Sequence, residues 1–318
     1  MPAPVTVAIP TRNAGSEFEQ TLAGVRSQRL DRVVDLLICD SGSSDETLSV
    51  ARRYGARMIH ISPESFSHGG TRNLLMSEAH GDHVAFLTQD AVPAGDGWLA
   101  GLLAAFKLAP NVGLTFGPYR PRPDAPLSVR RELATWFDSF AENGARIDTL
   151  EPGQESAPAQ CFRGHLGFFT DANGCVARRA WQRAPFRHVA YAEDHLLAQD
   201  MLRAGFAKVY VPDAAVIHSH AYSLRQWMRR SFDEARAVRY VYDWVEPPRV
   251  VARNMRGNVI VDWRWARRTD KSSGWEQVSL VAASLLHHGA RAAGELLGSR
   301  ADRLPARVVG LLSLEGRR

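Results

Sequence analysis

The feature that most constrains this chain is the alternation of short apolar strands and helices through its first 120 residues. Residues 5–9, 33–39 and 84–88 have the composition of buried strands, and residues 17–28 and 45–54 that of helices. Strands separated by helices of this length predict a mainly parallel, open α/β sheet flanked by helices, with right-handed crossovers. In such sheets, ligands bind at the edge formed by the carboxyl ends of the strands.

Polar motifs follow these strands in a fixed order, which places the candidate site at that edge. Each motif alone is typical of an ordinary turn or helix start, but the ordered combination is far more specific. In chain order the motifs are Pro10-Thr11-Arg12-Asn13, Asp40-Ser41-Gly42-Ser43-Ser44-Asp45, His68-Gly69-Gly70-Thr71-Arg72-Asn73, Thr88-Gln89-Asp90-Ala91, Glu193-Asp194 and His218-Ser219-His220.

This order resembles that of the family 2 inverting glycosyltransferases, which have the GT-A fold, and the resemblance covers roughly residues 5–239. The stretch 65–73 and the Thr-Gln-Asp-Ala form of the acidic motif look like those of rhamnosyltransferases. The resemblance implies a nucleoside diphosphate sugar donor, with dTDP-L-rhamnose favoured, and a glycan or lipid-linked acceptor in surface polysaccharide synthesis. It also implies a divalent metal, Mg²⁺ or Mn²⁺.

The first two motifs are predicted to bind the donor. Asp40 directly follows an apolar strand and can accept hydrogen bonds from a nucleobase or a ribose hydroxyl, while the turn at Ser41 and Gly42 lets the backbone approach a ligand closely. Arg12 carries a planar guanidinium that suits a phosphate. The alternatives are a helix N-terminal turn for Asp40 and a solvated side chain for Arg12. Further donor-binding candidates are Pro10, Thr11, Asn13, His68, Gly69, Asn73 and Gln89.

The third motif supplies two glycines and a fixed cation just before a helix predicted at residues 71–79. Such a helix N-terminus favours phosphate binding. Arg72 is therefore a candidate donor ligand, and the alternative for this residue is a structural salt bridge.

The fourth motif retains one carboxylate, that of Asp90, where the family commonly has two. One carboxylate together with the donor pyrophosphate can hold a hard cation such as Mg²⁺, which keeps several waters. A nitrogen ligand from His218 would favour Mn²⁺. The sequence therefore predicts Asp90 and His218 as metal ligands, with Asp90 also facing the donor.

Glu193 and Asp194 stand at the start of a predicted helix and match the acidic pair that supplies the catalytic base in the family. Asp194 is predicted to take the proton of the acceptor hydroxyl, with Glu193 orienting it. The alternative is a capping role for both residues. One base without an opposing nucleophile implies inversion at the sugar carbon. A sugar nucleotidyltransferase and a non-catalytic nucleotide-sugar-binding protein remain as alternatives for the whole chain.

The composition sets limits on location and partners. Three cysteines form no disulfide framework, which favours a reducing compartment. No stretch of 18 uncharged apolar residues exists, so no membrane span is expected. Arginines are dense between residues 225 and 268, yet no nucleic-acid-binding signature accompanies them, so no nucleic acid partner is expected. The expected location is cytoplasmic.

The chain is predicted to divide into a catalytic domain at residues 1–245 and a helical extension at residues 246–318. A long basic helix is expected at 224–242, followed by amphipathic helices at 276–297 and 304–314. Leucines and arginines in the last two helices leave open a peripheral contact with the inner face of the plasma membrane and a homodimer.

Overall fold

The computed structural model describes residues 3–140, 144–269 and 274–315. The strands within these ranges are β1 (Val5–Thr11), β2 (Val34–Asp40), β3 (Arg57–His60), β4 (His83–Leu87), β5 (Val92–Pro93), β6 (Val112–Phe116), β7 (Tyr119–Arg120), β8 (Arg146–Asp148), β9 (Asn173–Ala177), β10 (Ala207–Tyr210) and β11 (Val216–Ile217).

The helices in the same ranges are α1 (Phe18–Arg26), α2 (Thr47–Arg53), α3 (His68–Glu78), α4 (Trp98–Ala104), α5 (Leu127–Asp138), α6 (Arg178–Arg183), α7 (Glu193–Arg203), α8 (Leu224–Tyr242), α9 (Pro248–Thr269), α10 (Gly274–Gly298) and α11 (Ala306–Leu312). None of the helices in this part of the chain combines the length and the apolar character needed to cross a bilayer.

Eight strands form one sheet in the order β3-β2-β1-β4-β9-β6-β10-β8. β9 pairs antiparallel with both of its neighbours, and β8 pairs antiparallel with β10, so the other six strands run in one direction. The predicted mainly parallel α/β sheet is thereby confirmed. Every residue of β6 and β9 is buried, as expected for central strands covered on both faces.

A smaller sheet has the order β5-β11-β7. β5 and β11 are antiparallel, with Val92 opposite Ile217. Because antiparallel partners run in opposite directions, the segment that precedes β5 and the segment that follows β11 lie side by side. This pairing places Asp90 beside His218, far apart though they are in sequence.

The described chain divides into two compact units. The sheet unit comprises Met1–Arg122, Trp136–Pro158 and Phe162–His218, and the helical unit comprises Pro123–Thr135, Ala159–Cys161 and Ser219–Arg318. The sequence placed residues 219–245 with the catalytic domain. In the structure α8 groups with the C-terminal helices instead, because it packs along the length of α10.

Helix α8 spans the predicted residues 224–242, and Ser223 starts it with a capping box to Gln226. By contrast, α9 is a helix of 22 residues that the sequence pattern did not predict. Its buried residues are Val251, Asp262 and Ala266. One of these three carries a charge, so the apolar periodicity that identifies an amphipathic helix is weak here.

Two glycines of α10 allow the close approach of α8. A Cβ on Gly294 would lie 2.1 Å from the carbonyl oxygen of Met228, and a Cβ on Gly298 would lie 2.1 Å from that of Phe232. Both contacts are with backbone atoms, which cannot rotate away. A third glycine of the same helix, Gly289, has open space around it.

We expect Gly294→Ala to destabilise the chain by about 1–3 kcal/mol, because the added methyl group forces α8 and α10 apart. Gly289→Ala is the matched control in the same helix, and it should be neutral or stabilising by up to about 1 kcal/mol through helix propensity. Urea unfolding monitored by circular dichroism measures both changes. Equal stability of the two variants would contradict this description of the helix contact.

Candidate functional site

The turn after β2 is organised by Asp40, which is 1% exposed. Its Oδ1 accepts hydrogen bonds from the hydroxyls of Thr11 and Ser43, and its Oδ2 accepts from the backbone N–H groups of Gly42 and Ser43, at 3.0 and 2.9 Å. These four donors match the roughly four acceptor positions of a carboxylate. Asp40 thus holds the turn that leads to α2, which is the alternative role named for it in the sequence analysis. A direct contact with a sugar donor requires the displacement of one of these four groups.

The loop after β1 is joined to the end of β4 by the side chain of Gln89. The backbone N–H of Arg12 donates to Gln89 Oε1 at 2.9 Å, and Gln89 Nε2 donates to the Arg12 carbonyl at 3.3 Å. Asn13, in the left-handed conformation with φ +45°, accepts a hydrogen bond from Ser44 N–H at 2.8 Å. The Arg12 side chain itself is exposed.

These contacts bring together the predicted donor-binding residues that follow β1, β2 and β4. Residues 10–13, 40–45 and 88–91 are together named the donor loops. The parallel pairing of β1 and β2, with Thr11 opposite Asp40, fixes the first two loops at the same sheet edge. The hydrogen-bond donors of the backbone and side chains at this edge suit a ribose or a phosphate. Arg12 is the exposed cation of the donor loops.

Helix α3 begins at His68, three residues earlier than the sequence predicted. The side chain of Ser67 accepts a hydrogen bond from Gly70 N–H at 3.2 Å and starts the helix. A Cβ on Gly69 would lie 2.0 Å from the carbonyl oxygen of Arg187. Gly69 therefore lies in the helix, where it permits the close approach of the chain that leads to α7, and it is not part of a flexible loop.

Asn73 holds the same segment by three hydrogen bonds. Its Oδ1 accepts from Trp181 Nε1 at 2.8 Å and from Phe186 N–H at 3.0 Å, and its Nδ2 donates to the Phe186 carbonyl at 2.8 Å. The sequence predicted a donor contact for Asn73. In the structure its amide binds protein groups and positions the segment before α7.

The guanidinium of Arg72 is buried and holds two carboxylates. Its Nη2 donates to Asp171 Oδ1 at 2.7 Å, its Nε lies 2.5 Å from Asp171 Oδ2, and its Nη1 lies 3.0 Å from Glu193 Oε1. The structural salt bridge, which was the alternative to a donor contact for Arg72, is therefore present. His68 Nδ1 approaches Glu193 Oε1 at 3.8 Å. Arg72, Asp171, Glu193 and Asp194 are together named the acidic cluster.

Burial and the repulsion between neighbouring carboxylates shift the pKa values of the acidic cluster. Burial raises the pKa of Asp171 to about 7 against the opposing charge of Arg72, and the nearby Glu193 adds to the rise. Burial would lower the pKa of Arg72, but the charges of Asp171 and Glu193 raise it above its usual value. Burial also raises the pKa of Asp194, and the charge of Asp171 adds to this shift.

Asp194 differs from its neighbour Glu193 in how it is held. Glu193 is tied to Arg72, whereas Asp194 is half-buried and accepts a hydrogen bond from His195 N–H on Oδ1 at 2.8 Å. The helix dipole at the start of α7 favours negative charge on both residues. A carboxylate with a raised pKa at a fixed position has the properties of a general base.

Asp171 is the member of the cluster that the sequence did not predict. Several of the predicted site residues follow strands, whereas Asp171 precedes β9. Because β9 runs antiparallel, with Asn173 opposite Leu87 at the end of β4, its beginning lies at the edge where the parallel strands end. The antiparallel direction of β9 is therefore the feature that brings Asp171 to the site.

Asp90 and His218 face one another across the β5–β11 pair, with Asp90 Oδ1 and His218 Nδ1 3.5 Å apart. Arg122 holds the loop by donating to the Asp90 carbonyl at 2.7 Å. Two ligands of one metal, each bound at about 2.1 Å, are separated by roughly 3–4 Å. One oxygen and one nitrogen at this distance therefore fit a shared divalent ion.

Comparison with known proteins gives a consistent result. Residues 6–173 match the profile of Glycosyl transferase family 2. The chain is 32% identical over 235 residues to the O-antigen chain rhamnosyltransferase WbaN of Salmonella anatum, a match that covers 72% of this chain and 70% of that protein. It is 29% identical to the pre-mycofactocin glycosyltransferase of Mycobacterium tuberculosis over 71% of this chain and 45% of that one.

Among solved structures, the mannosyltransferase PcManGT from Pyrobaculum calidifontis, in complex with GDP-Man and Mn²⁺, is similar with a TM-score of 0.57 and 18% identity. The match covers 94% of this chain and 87% of that one. Residues 1–349 of TarS from S. aureus, in complex with UDP-GlcNAc, are similar with a TM-score of 0.52, 15% identity and coverage of 94% and 91%. At these identities the likeness shows the shared GT-A fold.

We expect Arg72→Met to lower the free energy of unfolding by about 3–5 kcal/mol at pH 8, because two buried carboxylates lose their cation. The loss should be smaller at pH 5. In the folded variant the carboxyl pKa values lie above their unfolded values, so the folded state binds more protons and stability falls as the pH rises. Urea unfolding at the two pH values measures the difference.

Arg53→Met, which breaks an exposed pair with Glu19, is the control and should change the free energy of unfolding little. A pH-independent loss for Arg72→Met would contradict the prediction.

Proposed function

This chain belongs to glycosyl transferase family 2 and is a glycosyltransferase; on that premise we propose that it transfers L-rhamnose from dTDP-L-rhamnose, with inversion, to a glycan or lipid-linked acceptor in surface polysaccharide synthesis. The observation that carries the proposal is the acidic cluster at the start of α7, where Arg72 holds Glu193 and leaves Asp194 as the adjacent base. The donor and the acceptor are supported by the likeness to rhamnosyltransferases of O-antigen synthesis.

In the proposed reaction, the acceptor hydroxyl oxygen attacks the anomeric carbon of the sugar while the bond from that carbon to the diphosphate oxygen breaks. Asp194 takes the hydroxyl proton, and the nucleoside diphosphate leaves with the electron pair of the broken bond. The raised pKa of Asp194 makes it a better proton acceptor in the transition state than an ordinary aspartate. A single displacement of this kind inverts the configuration at the anomeric carbon.

The donor loops supply the groups that bind the nucleotide in this proposal. Arg12 is the exposed cation for the diphosphate, and the turn at Ser41 and Gly42 borders the base and ribose. Asp90 and His218 would hold a divalent ion, Mg²⁺ or Mn²⁺, which when bound neutralises the charge that develops on the departing diphosphate. The Mn²⁺ present with GDP-Man in the similar mannosyltransferase supports this assignment.

We expect purified wild-type protein to transfer rhamnose from dTDP-L-rhamnose to a lipid-linked acceptor, and Asp194→Asn to do so about 10²–10⁴-fold more slowly, because the amide cannot take the proton. Affinity for the donor should stay within about threefold. Calorimetry measures binding, and release of dTDP measures turnover. Asp200→Asn, in the same helix but paired with Arg187, is the matched control.

Two results of this experiment have separate meanings. Turnover at the wild-type rate by folded Asp194→Asn would contradict the assignment of this residue as the base. Turnover with another nucleoside diphosphate sugar in place of dTDP-L-rhamnose would contradict the donor and leave the base in place.

We expect Asp90→Ala to weaken donor binding by about tenfold or more in the presence of Mn²⁺, equal to about 1.4 kcal/mol. Without metal the variant and the wild type should bind the donor equally, because the carboxylate acts through the ion. Asp31→Ala, at an exposed position, is the control. Calorimetry with and without Mn²⁺ measures the effect, and equal affinities with Mn²⁺ would remove Asp90 from the metal site.

Helices α9 and α10 of the helical unit carry exposed apolar side chains, and α9 also carries exposed arginines. We propose that these side chains form a surface that contacts anionic membranes. On α9, Ile260, Val261 and Trp263 are exposed beside Arg267 and Arg268. On α10, Trp275 is 85% exposed, and Val278, Leu285 and Leu286 are also accessible. Such a mixture suits the headgroup region of a bilayer, where a lipid-linked acceptor would lie.

The C-terminal arginines that the sequence suggested divide into two groups. Arg291 pairs with Glu132, and Arg300 donates to the carbonyls of Leu296 and Glu246, so both bind protein groups within the helical unit. Arg303 and Arg307 are exposed, as are Arg267 and Arg268 on α9, a helix that was not predicted.

We expect the protein to sediment with vesicles that contain anionic lipid at 0.1 M salt and to be released at 1 M, since the screening length falls from about 10 Å to 3 Å. The double variant Arg267→Glu/Arg268→Glu should stay in the supernatant. The matched control Arg52→Glu/Arg53→Glu, which reverses two exposed charges on α2, should still sediment. A wild-type protein that stays in the supernatant and forms dimers would show that this surface serves self-association instead.

A further inference from the structure

Two consecutive histidines of α10, His287 and His288, are buried in the helical unit, at 6% and 3% exposure. Both face Glu132 of α5. We propose that Glu132, His287 and His288 form a binding site for a borderline transition metal, best represented by Zn²⁺. The site is separate from the Asp90–His218 pair, and the proposal does not depend on the reaction.

The ring proton of His288 is held on the side away from Glu132. Its Nε2 lies 2.9 Å from Asp262 Oδ2. Asp262 also accepts hydrogen bonds from Ser128, Ser284 and Arg131, so its carboxylate acts as the acceptor toward His288. The ring proton of neutral His288 is therefore on Nε2. Its Nδ1 then presents a lone pair toward Glu132 Oε1, which is 3.6 Å away.

A lone pair that faces a carboxylate oxygen is repulsive unless a positive charge lies between them. His287 also faces this carboxylate, with its Nε2 3.9 Å from Glu132 Oε2, beyond hydrogen-bonding distance. Among the described residues this buried nitrogen has no hydrogen-bond partner. Two imidazole nitrogens and a carboxylate thus converge, with one ligand atom from each lying within 4.8 Å of the others.

The donor set identifies the kind of ion. Two imidazole nitrogens and one carboxylate oxygen suit Zn²⁺, whereas Mg²⁺ and Ca²⁺ prefer oxygen ligands. With bonds of about 2.0–2.2 Å at tetrahedral angles, two ligands of one ion lie roughly 3.3–3.6 Å apart. The histidine nitrogens lie 3.6 and 3.9 Å from the oxygens of Glu132, close to that separation. Asp262 would act as the carboxylate that orients a metal-bound histidine through its second nitrogen.

The charges around the site are close to balance. Glu132 and Asp262 contribute negative charge, and Arg131 and Arg291 contribute positive charge, with Arg291 bound to Glu132. The nearby Glu234 is paired with Arg230. The ion would add two positive charges to a group whose charges cancel. The competing state is a protonated His287 or His288 held by Glu132, which supplies one positive charge without a metal.

The test uses the full chain with Asp90→Asn, which removes the other candidate metal site. We expect this protein to bind about one equivalent of Zn²⁺ in equilibrium dialysis and to give a tetrahedral ligand-field spectrum with Co²⁺. Adding His287→Asn should lower Zn²⁺ affinity by at least about tenfold, whereas adding His60→Asn, at an exposed position, should not. His287 is chosen because His288 also supports Asp262.

A second measurement covers the case in which a variant folds poorly. Zn²⁺ should raise the urea midpoint of the Asp90→Asn protein by mass action, and this rise should be absent with His287→Asn. Substoichiometric Zn²⁺, or Zn²⁺ affinity that His287→Asn leaves unchanged, would overturn the proposal. A urea midpoint that responds to acid and not to Zn²⁺ would assign the cluster to protonated histidine and overturn it equally.

Discussion

The buried guanidinium of Arg72 is the interaction on which the rest of the sheet unit depends. Two carboxylates within 3 Å of it would be unstable inside the protein without a cation, and a cation buried alone would be equally costly. The bidentate geometry with Asp171 fixes the start of β9, and the contact with Glu193 fixes the start of α7. One side chain therefore holds together the two segments that carry the residues proposed to perform the chemistry, and its charge opposes the rise that burial causes in their pKa values.

The surrounding residues of the same motif serve this arrangement. Gly69 lets the chain before α7 approach α3, and Asn73 holds that chain by its amide. A motif that the sequence assigned to donor phosphate thus acts in the structure chiefly by building the acidic cluster. The residue types of the motif alone did not distinguish a phosphate ligand from an internal ion pair.

The parts of the fold that were predictable are those with a strong local pattern. The apolar strands, the motifs that follow them and α8 with its capping box are all encoded within a few neighbouring residues. Asp171 was missed because the antiparallel direction of β9 is a property of the whole sheet. Helix α9 was missed because it buries Asp262 where a typical amphipathic helix buries leucine. Asp40 lies at the end of β2, but its four local hydrogen-bond donors become apparent only in three dimensions.

Asp262 also has a consequence for how the chain is made. It accepts hydrogen bonds from Ser128 and Arg131, which precede it by 134 and 131 residues. At synthesis rates of about 5–20 residues per second, α5 emerges from the ribosome on the order of ten seconds before its polar partner exists. The polar network of the helical unit can therefore close around Arg131 only after residue 262 has left the ribosome.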